Sequence, residues 1–340
     1  MTRYDRLRGG LDERGCDCAI LVGPSHAVHL ASYNRYLSSA TAVVVGSDGM
    51  RTVVVPRYEL AAAEEHARAD AVVAYGSDDF LDFDPLPKLV DACRGLCAGQ
   101  LGVAGIALED AVPVDDLVAS VRRVKDEDEL AAVARAVELS LGAQRRVAEG
   151  AAEGLNEIEL FTAAHAWAQN AALEPVELVG DVFCGARTAA VASPVEVPGP
   201  FTGDPVLADL AFRVGGYWGD TTRTTIVGDH AEAAEAVEAI TSILADSGCA
   251  LRPGIRACDV FAGMREQILG RFPEGVFAHH GGHGIGIDCG EDPQLIPTEP
   301  AELEAGMIFA VEPAVYFPGR FGVRVEDVYA VTGEGGVRVG

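Results

Sequence analysis

The stretch from residue 205 to residue 226, PVLADLAFRVGGYWGDTTRTTI, limits the possible folds of this chain more than any other stretch. Over residues 206–213 one apolar set of residues alternates with a second set that contains Asp209, which is the period of a β-strand. Gly215 and Gly216 can adopt the positive φ angles that a two-residue hairpin turn requires. We therefore predict a β-hairpin in which residue 214 lies opposite 217 and residue 211 lies opposite 220.

This register places Asp209 and Asp220 as diagonal neighbours on one face of the hairpin, with their backbones roughly 7–8 Å apart. Two carboxylates that lean inward at that separation repel each other, and the repulsion raises the pKa of one of them. A divalent metal ion between the carboxylates would remove the conflict. The alternative is a surface hairpin whose two aspartates are solvated.

Composition sets the broad class of the protein. A chain of 340 residues, 49% hydrophobic and 23% charged, is long enough for roughly two domains with a sizeable core. The net charge of −26 makes nucleic acid and anionic membrane unexpected partners. No apolar run approaches the ~18 residues of a membrane span, and the charged start has no apolar signal core, so we expect a cytoplasmic protein. The eight cysteines lack paired zinc-knuckle spacing and are expected to be buried free thiols.

Short strands and helices alternate over the first 121 residues, which is typical of one α/β domain. Apolar runs predict strands at 18–23, 41–46, 51–56, 71–76 and 101–105. Helical spacing predicts helices at 3–13, 57–68 and 86–98. No phosphate loop or glycine fingerprint follows these strands, so nucleotide binding is not predicted.

A second region, residues 122–340, begins with VRRVKDEDEL. Asp126 followed by Glu129, and Asn156 followed by Glu159, form capping-box patterns that predict the starts of two helices. A strand-rich part from about 176 to 228 follows, and further helices are predicted near 231–247 and 257–270.

Three later segments supply further candidate ligands. FAHHGGHGIGIDCGEDP (277–293) places His279, His280 and His283 on glycine-rich backbone that can approach other groups closely. MIFAVEP (307–313) is an apolar strand that ends in Glu312, and GVRVEDVYAV (322–331) alternates as one strand with Glu326 on the face of Arg324 and Val328. A charge in such a run is costly to bury without a partner. The alternatives are solvated strand ends, an arginine pair for Glu326, and ordinary loop histidines.

One possible metal site combines these candidates: Asp209, Asp220, His283, Glu312 and Glu326. Four carboxylates and one imidazole suit manganese, cobalt, iron or zinc, and the ligand types do not choose among these metals. Two divalent ions would balance about four negative charges.

Four motifs occur in an order that resembles a known family: DLAFRVGGYWGDTTRT, GGHGIG, FAVEP and VRVED. The order is similar to that of the pita-bread superfamily, which contains methionine aminopeptidase, aminopeptidase P, prolidase and creatinase. The first 121 residues look like the amino-terminal domain of the creatinase and prolidase branch, and VRRVKDEDELAAVARAV looks like its linking helix. Methionine aminopeptidases usually lack this front domain. The resemblance implies a two-domain α/β protein, with a small α/β creatinase-like N-terminal domain (1–121) followed by an α+β pita-bread metal-binding domain (122–340).

The resemblance also implies roles for individual residues. The five candidate ligands would hold two divalent ions, with Asp220 and Glu326 bridging them and a bridging water as the nucleophile. Glu312 would shuttle the proton and His279 would take part in catalysis. His279, His280 and Arg324 would bind the substrate. Relatives in this branch are commonly dimers, so we expect a homodimer that acts on a small molecule or a short peptide.

The chain departs from the family pattern at two positions. Peptidases of the superfamily carry a histidine where this chain has Gly290, and another where it has Ala192. Those imidazoles steady the substrate carbonyl and the oxyanion, and one such donor is worth about 2.7–4 kcal/mol. Losing both would cost about four orders of magnitude in rate or more if nothing replaces them.

Three functions are compatible with this pattern. We prefer a dinuclear metal enzyme that hydrolyses an amide or other carbon–nitrogen bond of a small non-standard substrate, because the metal ligands are kept while the carbonyl-holding histidines are absent. The first alternative is a genuine Xaa-Pro aminopeptidase or dipeptidase, which the fold, ligands and domain plan favour. The second is a non-catalytic binding protein on the same fold, and the five intact ligands argue against it.

Overall fold

The computed structural model describes residues 1–34, 39–78, 84–191 and 204–340. Its contacts divide the chain into two compact units, Met1–Arg122 and Arg123–Gly340. Among the helices in these ranges, none is both long enough and apolar enough to cross a membrane.

The first unit contains a six-stranded mixed sheet in the order β4-β3-β2-β1-β5-β6. Its strands are β1 (Cys18–Val22), β2 (Ala42–Val45), β3 (Arg51–Pro56), β4 (Ala71–Tyr75), β5 (Leu101–Ala104) and β6 (Val112–Pro113). Its helices are α1 (Arg3–Glu13), α2 (Pro24–Ala31), α3 (Leu60–His66), α4 (Pro85–Arg94) and α5 (Asp115–Arg123).

The predicted strands and helices of this unit are confirmed, including the antiparallel hairpin of β2 and β3. The apolar spacing did not predict α2. This helix begins at Pro24, whose ring fixes φ at a helical value in the first turn. Leu7 and Leu11, one turn apart on α1, are buried in the core of this unit.

The second unit is built from four helices and three sheets in the described ranges. The helices are α6 (Glu127–Ala152), α7 (Glu157–Ala172), α8 (Ala231–Ala250) and α9 (Ala257–Arg271). The strands are β7 (Glu177–Cys184), β8 (Val206–Val214), β9 (Tyr217–Thr225), β10 (Gly282–Gly284), β11 (Glu291–Gln294), β12 (Ile308–Val311), β13 (Ala314–Phe317), β14 (Phe321–Arg324), β15 (Asp327–Thr332) and β16 (Gly335–Arg338). They form sheets in the orders β7-β8-β9, β11-β10-β12-β15-β16 and β13-β14.

Both predicted capping boxes are present, at the first residues of α6 and α7. Apolar residues of α6 and α7 pack on one face of β8, where Ala208, Leu210 and Phe212 are buried. Each fully buried leucine or phenylalanine contributes about 1.5–3 kcal/mol through removal of apolar surface from water. One face of β8 is therefore committed to the core, and the other face is left for Asp209.

The β8–β9 hairpin has the predicted register. Ala211 pairs with Asp220 and Val214 pairs with Tyr217, and both turn glycines have positive φ. Gly219 faces α6, where an added Cβ would lie 2.2 Å from the backbone nitrogen of Val137. Because successive residues of a strand point to opposite faces, this close approach directs Asp220 away from α6.

The prediction of one strand over residues 322–331 was wrong. The run forms β14 and β15, which pair with β13 and β12 respectively, and it breaks at Val325 and Glu326. At the break the backbone N–H of Glu326 donates to the carbonyl of Thr222 on β9, 3.0 Å away. Apolar and polar residues alternate without interruption from β14 to β15, although the two strands pair with different partners. The spacing of side chains alone therefore does not indicate where one strand ends and the next begins.

Candidate metal centre

Four buried polar side chains and the half-buried Asp209 lie between the β8–β9 hairpin and the sheet that contains β10 and β12. Asp209 and Asp220 come from the hairpin, and His283 lies on β10. Glu312 follows the end of β12, and Glu326 lies in the break between β14 and β15. The five residues predicted as ligands thus come from five different segments of the second unit.

His283 presents its Nε2 atom to this group. Its Nδ1 lies 2.9 Å from the carbonyl oxygen of Gly284, and since a carbonyl only accepts, Nδ1 carries the proton and donates. Nε2 is then free to act as a ligand and lies 3.9 Å from both Asp220 Oδ2 and Glu312 Oε1. Fixing the tautomer through the distal nitrogen is the usual arrangement of a metal-binding histidine.

Asp220 and Glu326 are deeply buried carboxylates, with 7% and 2% of their surface exposed. Within the described ranges, Asp220 Oδ1 and Glu326 Oε1 have no hydrogen-bond partner. Burial, followed by repulsion from neighbouring carboxylates, raises the pKa of each well above its usual value. Asp220, His283 and Glu326 each place a donor atom within 4.8 Å of the others.

Glu312 is surrounded by imidazoles. Its Oε1 lies 3.0 Å from His280 Nδ1, and its Oε2 lies 3.6 Å from His279 Nδ1. Burial alone would raise the pKa of Glu312, but contact with His280 and the neighbouring imidazoles outweighs it and lowers the pKa to about 2. The same contact raises the pKa of His280. Glu312, His279 and His280 form a second group with metal-ligand spacing.

Asp209 is paired with a buried arginine. Arg324 donates to Asp209 Oδ2, and it also donates to the hydroxyl of Tyr316 at 2.9 Å. That hydroxyl lies 3.0 Å from Nε2 of His279, whose Nδ1 donates to the carbonyl of His280. Burial lowers the pKa of His279 and raises that of Tyr316 to about 12. A chain of hydrogen bonds therefore runs from Asp209 through Arg324 and Tyr316 to His279.

Sequence reasoning missed four residues of this region. Tyr316 and Thr222 hold other site residues, and Thr222 donates to Glu326 Oε2 at 2.7 Å. The expectation that the cysteines are buried is wrong for four of the eight, and one of these four, Cys289, lies with its Sγ 3.4 Å from Asp220 Oδ2. Asp181 pairs directly with Asp209 in the β7–β8 register, and burial followed by the Asp209 charge raises its pKa. Asp181 interrupts an apolar strand, and this signal was available in the sequence.

Of the two positions at which a family histidine was expected to be absent, the structure describes only Gly290. Gly290 is exposed, and a Cβ added there would meet no atom within 4 Å. Ala192 lies outside the described residues.

The residues present fit a divalent metal centre. Carboxylate oxygens with no hydrogen-bond partner, buried beside other carboxylates, are costly unless a cation joins them. The donor set of carboxylates and one oriented imidazole is also of the kind that binds manganese, cobalt, iron or zinc. The two-domain plan, the hairpin and this donor set define the class: a metal-dependent hydrolase with the pita-bread fold.

Comparisons with known proteins support this assignment of the class. A model of metallopeptidase family M24 matches residues 131–333, and a model of the creatinase/prolidase N-terminal domain matches residues 3–138. The "Probable dipeptidase PepE" of Mycobacterium tuberculosis is 31% identical over 315 residues, covering 88% of this chain and 83% of its own length. The chain belongs to metallopeptidase family M24.

Solved structures show the same fold over almost the whole chain. The prolidase from Pyrococcus horikoshii OT3 has a TM-score of 0.82 at 22% identity, covering 99% of this chain and 97% of its own. The dipeptidase PepE from Mycobacterium ulcerans has a TM-score of 0.75 at 26% identity, covering 99% and 94%. At 22% sequence identity, the similarity to the prolidase establishes only the fold.

Proposed function

We propose that this protein is a two-metal hydrolase that cleaves an amide or other carbon–nitrogen bond of a small substrate. The observation that supports this most directly is the pair of buried carboxylate oxygens without hydrogen-bond partners, on Asp220 and Glu326, beside the oriented Nε2 of His283. A protein that only binds a ligand has no need to bury such a cluster.

Asp209, Asp220, His283, Glu312 and Glu326 would hold the two ions, with Asp220 and Glu326 shared between them. Bound ions of this type activate water at neutral pH and polarise a carbonyl or related group. Thr222 keeps one oxygen of Glu326 in place by donating to it at 2.7 Å, which leaves the other oxygen for the centre.

Glu312 and His280 handle the proton. The neighbouring imidazoles lower the pKa of Glu312 to about 2, so its carboxylate is ionised near neutral pH and a weak base that would hold a proton only transiently, for transfer to an adjacent imidazole. His280 lies 3.0 Å away and is partly exposed, so it passes the proton between Glu312 and solvent or the departing amine. The two groups supply the general acid and base that hydrolysis of a carbon–nitrogen bond requires.

Arg324, Tyr316 and His279 orient the substrate. Arg324 is fixed by Asp209 and by Tyr316, and Tyr316 in turn fixes the ring of His279. A guanidinium locked in this way offers its remaining N–H donors at low entropic cost, which is how a binding site gains both affinity and orientation.

The substrate class follows from Gly290. An exposed glycine with open space around it leaves no imidazole at that position to steady a peptide carbonyl. We therefore propose a small non-standard amide or related compound as the main substrate, with slow turnover of Xaa-Pro dipeptides. The sequence identity of 31% to the "Probable dipeptidase PepE" supports dipeptide hydrolysis as the second candidate function.

A substrate panel tests the proposal. Metal-free protein is loaded separately with manganese, cobalt, iron or zinc, and each form is assayed against dipeptides, Xaa-Pro peptides and small amides. We expect close to two ions per chain by metal analysis, hydrolysis of at least one small amide, and very slow Xaa-Pro cleavage. Glu326→Gln is the control for metal-dependent turnover, because it removes a shared ligand with little change of shape.

Each outcome decides between the candidates. Failure to bind ions after reconstitution would end both hydrolase proposals. Efficient Xaa-Pro or dipeptide cleavage would replace the first candidate by the second.

We further propose that the chain forms a homodimer, as expected from the resemblance. Light scattering of the purified chain measures its mass in solution, and a single-chain mass at micromolar concentration would contradict the dimer.

A further inference from the structure

Cys289 lies at the metal centre although no ligand role was expected for any cysteine. Its Sγ is 3.4 Å from Asp220 Oδ2, the same oxygen that His283 Nε2 approaches to 3.9 Å. A thiol and an imidazole therefore approach one carboxylate oxygen from two different segments of the chain. Cys289 is only partly buried.

The separation matches that of two ligands on one ion. With zinc–sulfur and zinc–oxygen bonds of about 2.3 Å and 2.0 Å at a tetrahedral angle, the sulfur and oxygen are about 3.5 Å apart. The observed 3.4 Å, at which the thiol donates a hydrogen bond to Asp220 Oδ2, is close to this value. An ion bound by Asp220 Oδ2 would therefore find the sulfur within bonding reach without movement of the loop.

A second, independent observation points to a cation here. Asp220 Oδ1 and Glu326 Oε1 belong to residues with 7% and 2% of their surface exposed, and within the described part of the chain neither atom has a hydrogen-bond partner. If the carboxylate were well solvated, contact between it and a thiol would not indicate an ion. Here the thiol contacts a carboxylate whose other oxygen is still without a partner.

The loop that carries Cys289 is fixed on both sides. The carboxylate of Glu291 accepts the backbone N–H groups of Ile287 and Asp288 at 3.0 and 3.2 Å, and Lys125 Nζ donates to its other oxygen at 2.8 Å. The carbonyl of Gly286 accepts the backbone N–H of Trp218 on β9 at 2.8 Å. These bonds tie the loop to the strand that bears Asp220, so the position of the thiol is built into the fold.

We propose that Cys289 is a sulfur ligand of the ion held by Asp220, which biases the centre towards soft divalent ions such as zinc over manganese. On binding, the S–H bond is exchanged for a sulfur–metal bond and the proton passes to solvent. Thiolate ligands select zinc, whereas carboxylate and water ligands suit manganese. The inference rests on the proposed metal centre and adds a ligand to it.

X-ray absorption of the zinc-loaded full chain tests this directly. We expect a sulfur neighbour at about 2.3 Å from zinc in the natural protein and only oxygen or nitrogen neighbours in Cys289→Ser. Cys258→Ser is the matched control: Cys258 is also partly buried with its Sγ 3.9 Å from a carboxylate oxygen, that of Asp259, and its replacement will keep the sulfur signal. We also expect Cys289→Ser to weaken zinc binding roughly tenfold or more while leaving manganese binding unchanged.

A second measurement covers the case in which the serine variant does not fold. In the natural protein, alkylation followed by peptide mass spectrometry will show Cys289 protected by zinc and the exposed Cys249 labelled equally with and without zinc.

Zinc bound through oxygen and nitrogen alone, a sulfur signal that persists in Cys289→Ser, equal loss of zinc and manganese affinity, or unprotected Cys289 would each overturn the inference while leaving the hydrolase proposal intact. A chain that binds no ion would overturn both.

Discussion

Replacing Gly290 by histidine would supply one of the two imidazoles that, by the resemblance to the family, are expected in its peptidases and are absent from this chain. The loop accommodates the change: a Cβ at this position meets no atom within 4 Å, and the φ of Gly290 is outside the left-handed region. Removing a glycine where its special conformation is not used also reduces the freedom of the unfolded chain, which stabilises a protein by about 0.4–1 kcal/mol. We therefore expect Gly290→His to fold at least as stably as the natural protein.

The expected gain follows from the value of one oxyanion donor, about 2.7–4 kcal/mol, or roughly 100- to 1,000-fold in kcat. We expect Gly290→His to raise kcat for Xaa-Pro dipeptides towards this range. The increase will appear in kcat more than in KM, because the donor stabilises the transition state more than the bound substrate.

The assay compares kcat and KM of Gly290→His with those of Gly290→Ala, which adds a Cβ without an imidazole. Metal content and melting temperature are measured for both variants, so that a change in ion binding or folding is not read as catalysis. If Gly290→His is folded and carries its ions but cleaves dipeptides no faster than Gly290→Ala, the reasoning from the absent histidine is refuted.

Three further predictions concern stability, each measured by urea or thermal unfolding. In the metal-free protein the pKa of Asp220 is raised, so the folded state holds a proton that the unfolded state releases. The contribution of Asp220 to the free energy of unfolding is therefore fully present below the ordinary carboxyl pKa of about 4 and is lost as the pH rises through the folded pKa. Asp220→Asn will flatten this loss, and an unchanged pH dependence would contradict the assignment. Lys125→Met removes the cation that pairs with the buried carboxylate of Glu291 and will lower the free energy of unfolding by about 3–5 kcal/mol. Adding Glu291→Gln will recover part of this loss, whereas additive effects of the two substitutions would argue against coupling of the pair. Gly219→Ala will lower the free energy of unfolding by several times the ~1 kcal/mol of an ordinary substitution, because its Cβ would overlap the α6 backbone. The control Gly263→Ala in α9 will raise it by about 0.5–1 kcal/mol. Similar effects at both glycines would show that the close approach is not required.

The sequence predicted the hairpin of the second unit down to its register. Two adjacent glycines defined the turn, and because a strand repeats every two residues, the turn then decided which residues face each other. The capping boxes of α6 and α7 were equally local signals and are also confirmed. Features written into neighbouring residues were therefore predictable.

Features that depend on distant partners were not predictable from periodicity. The break at Glu326 arises because its backbone bonds to Thr222 of another sheet, and nothing in the spacing of residues 322–331 signals that bond. Tyr316 resembled any buried strand residue, yet its hydroxyl joins Arg324 to His279. The thiol of Cys289 had no paired cysteine to indicate a ligand role, and only its contact with Asp220 distinguishes it.

The enclosed ion pair of Lys125 with Glu291 also affects how the protein can be labelled. The chain has only two lysines, and the side chain of Lys125 is 3% exposed. Lys88, on α4 of the first unit, is exposed. Amine-reactive dyes or resins would therefore attach at Lys88 rather than at Lys125. The lysine that supports the loop beside the metal centre would stay unmodified.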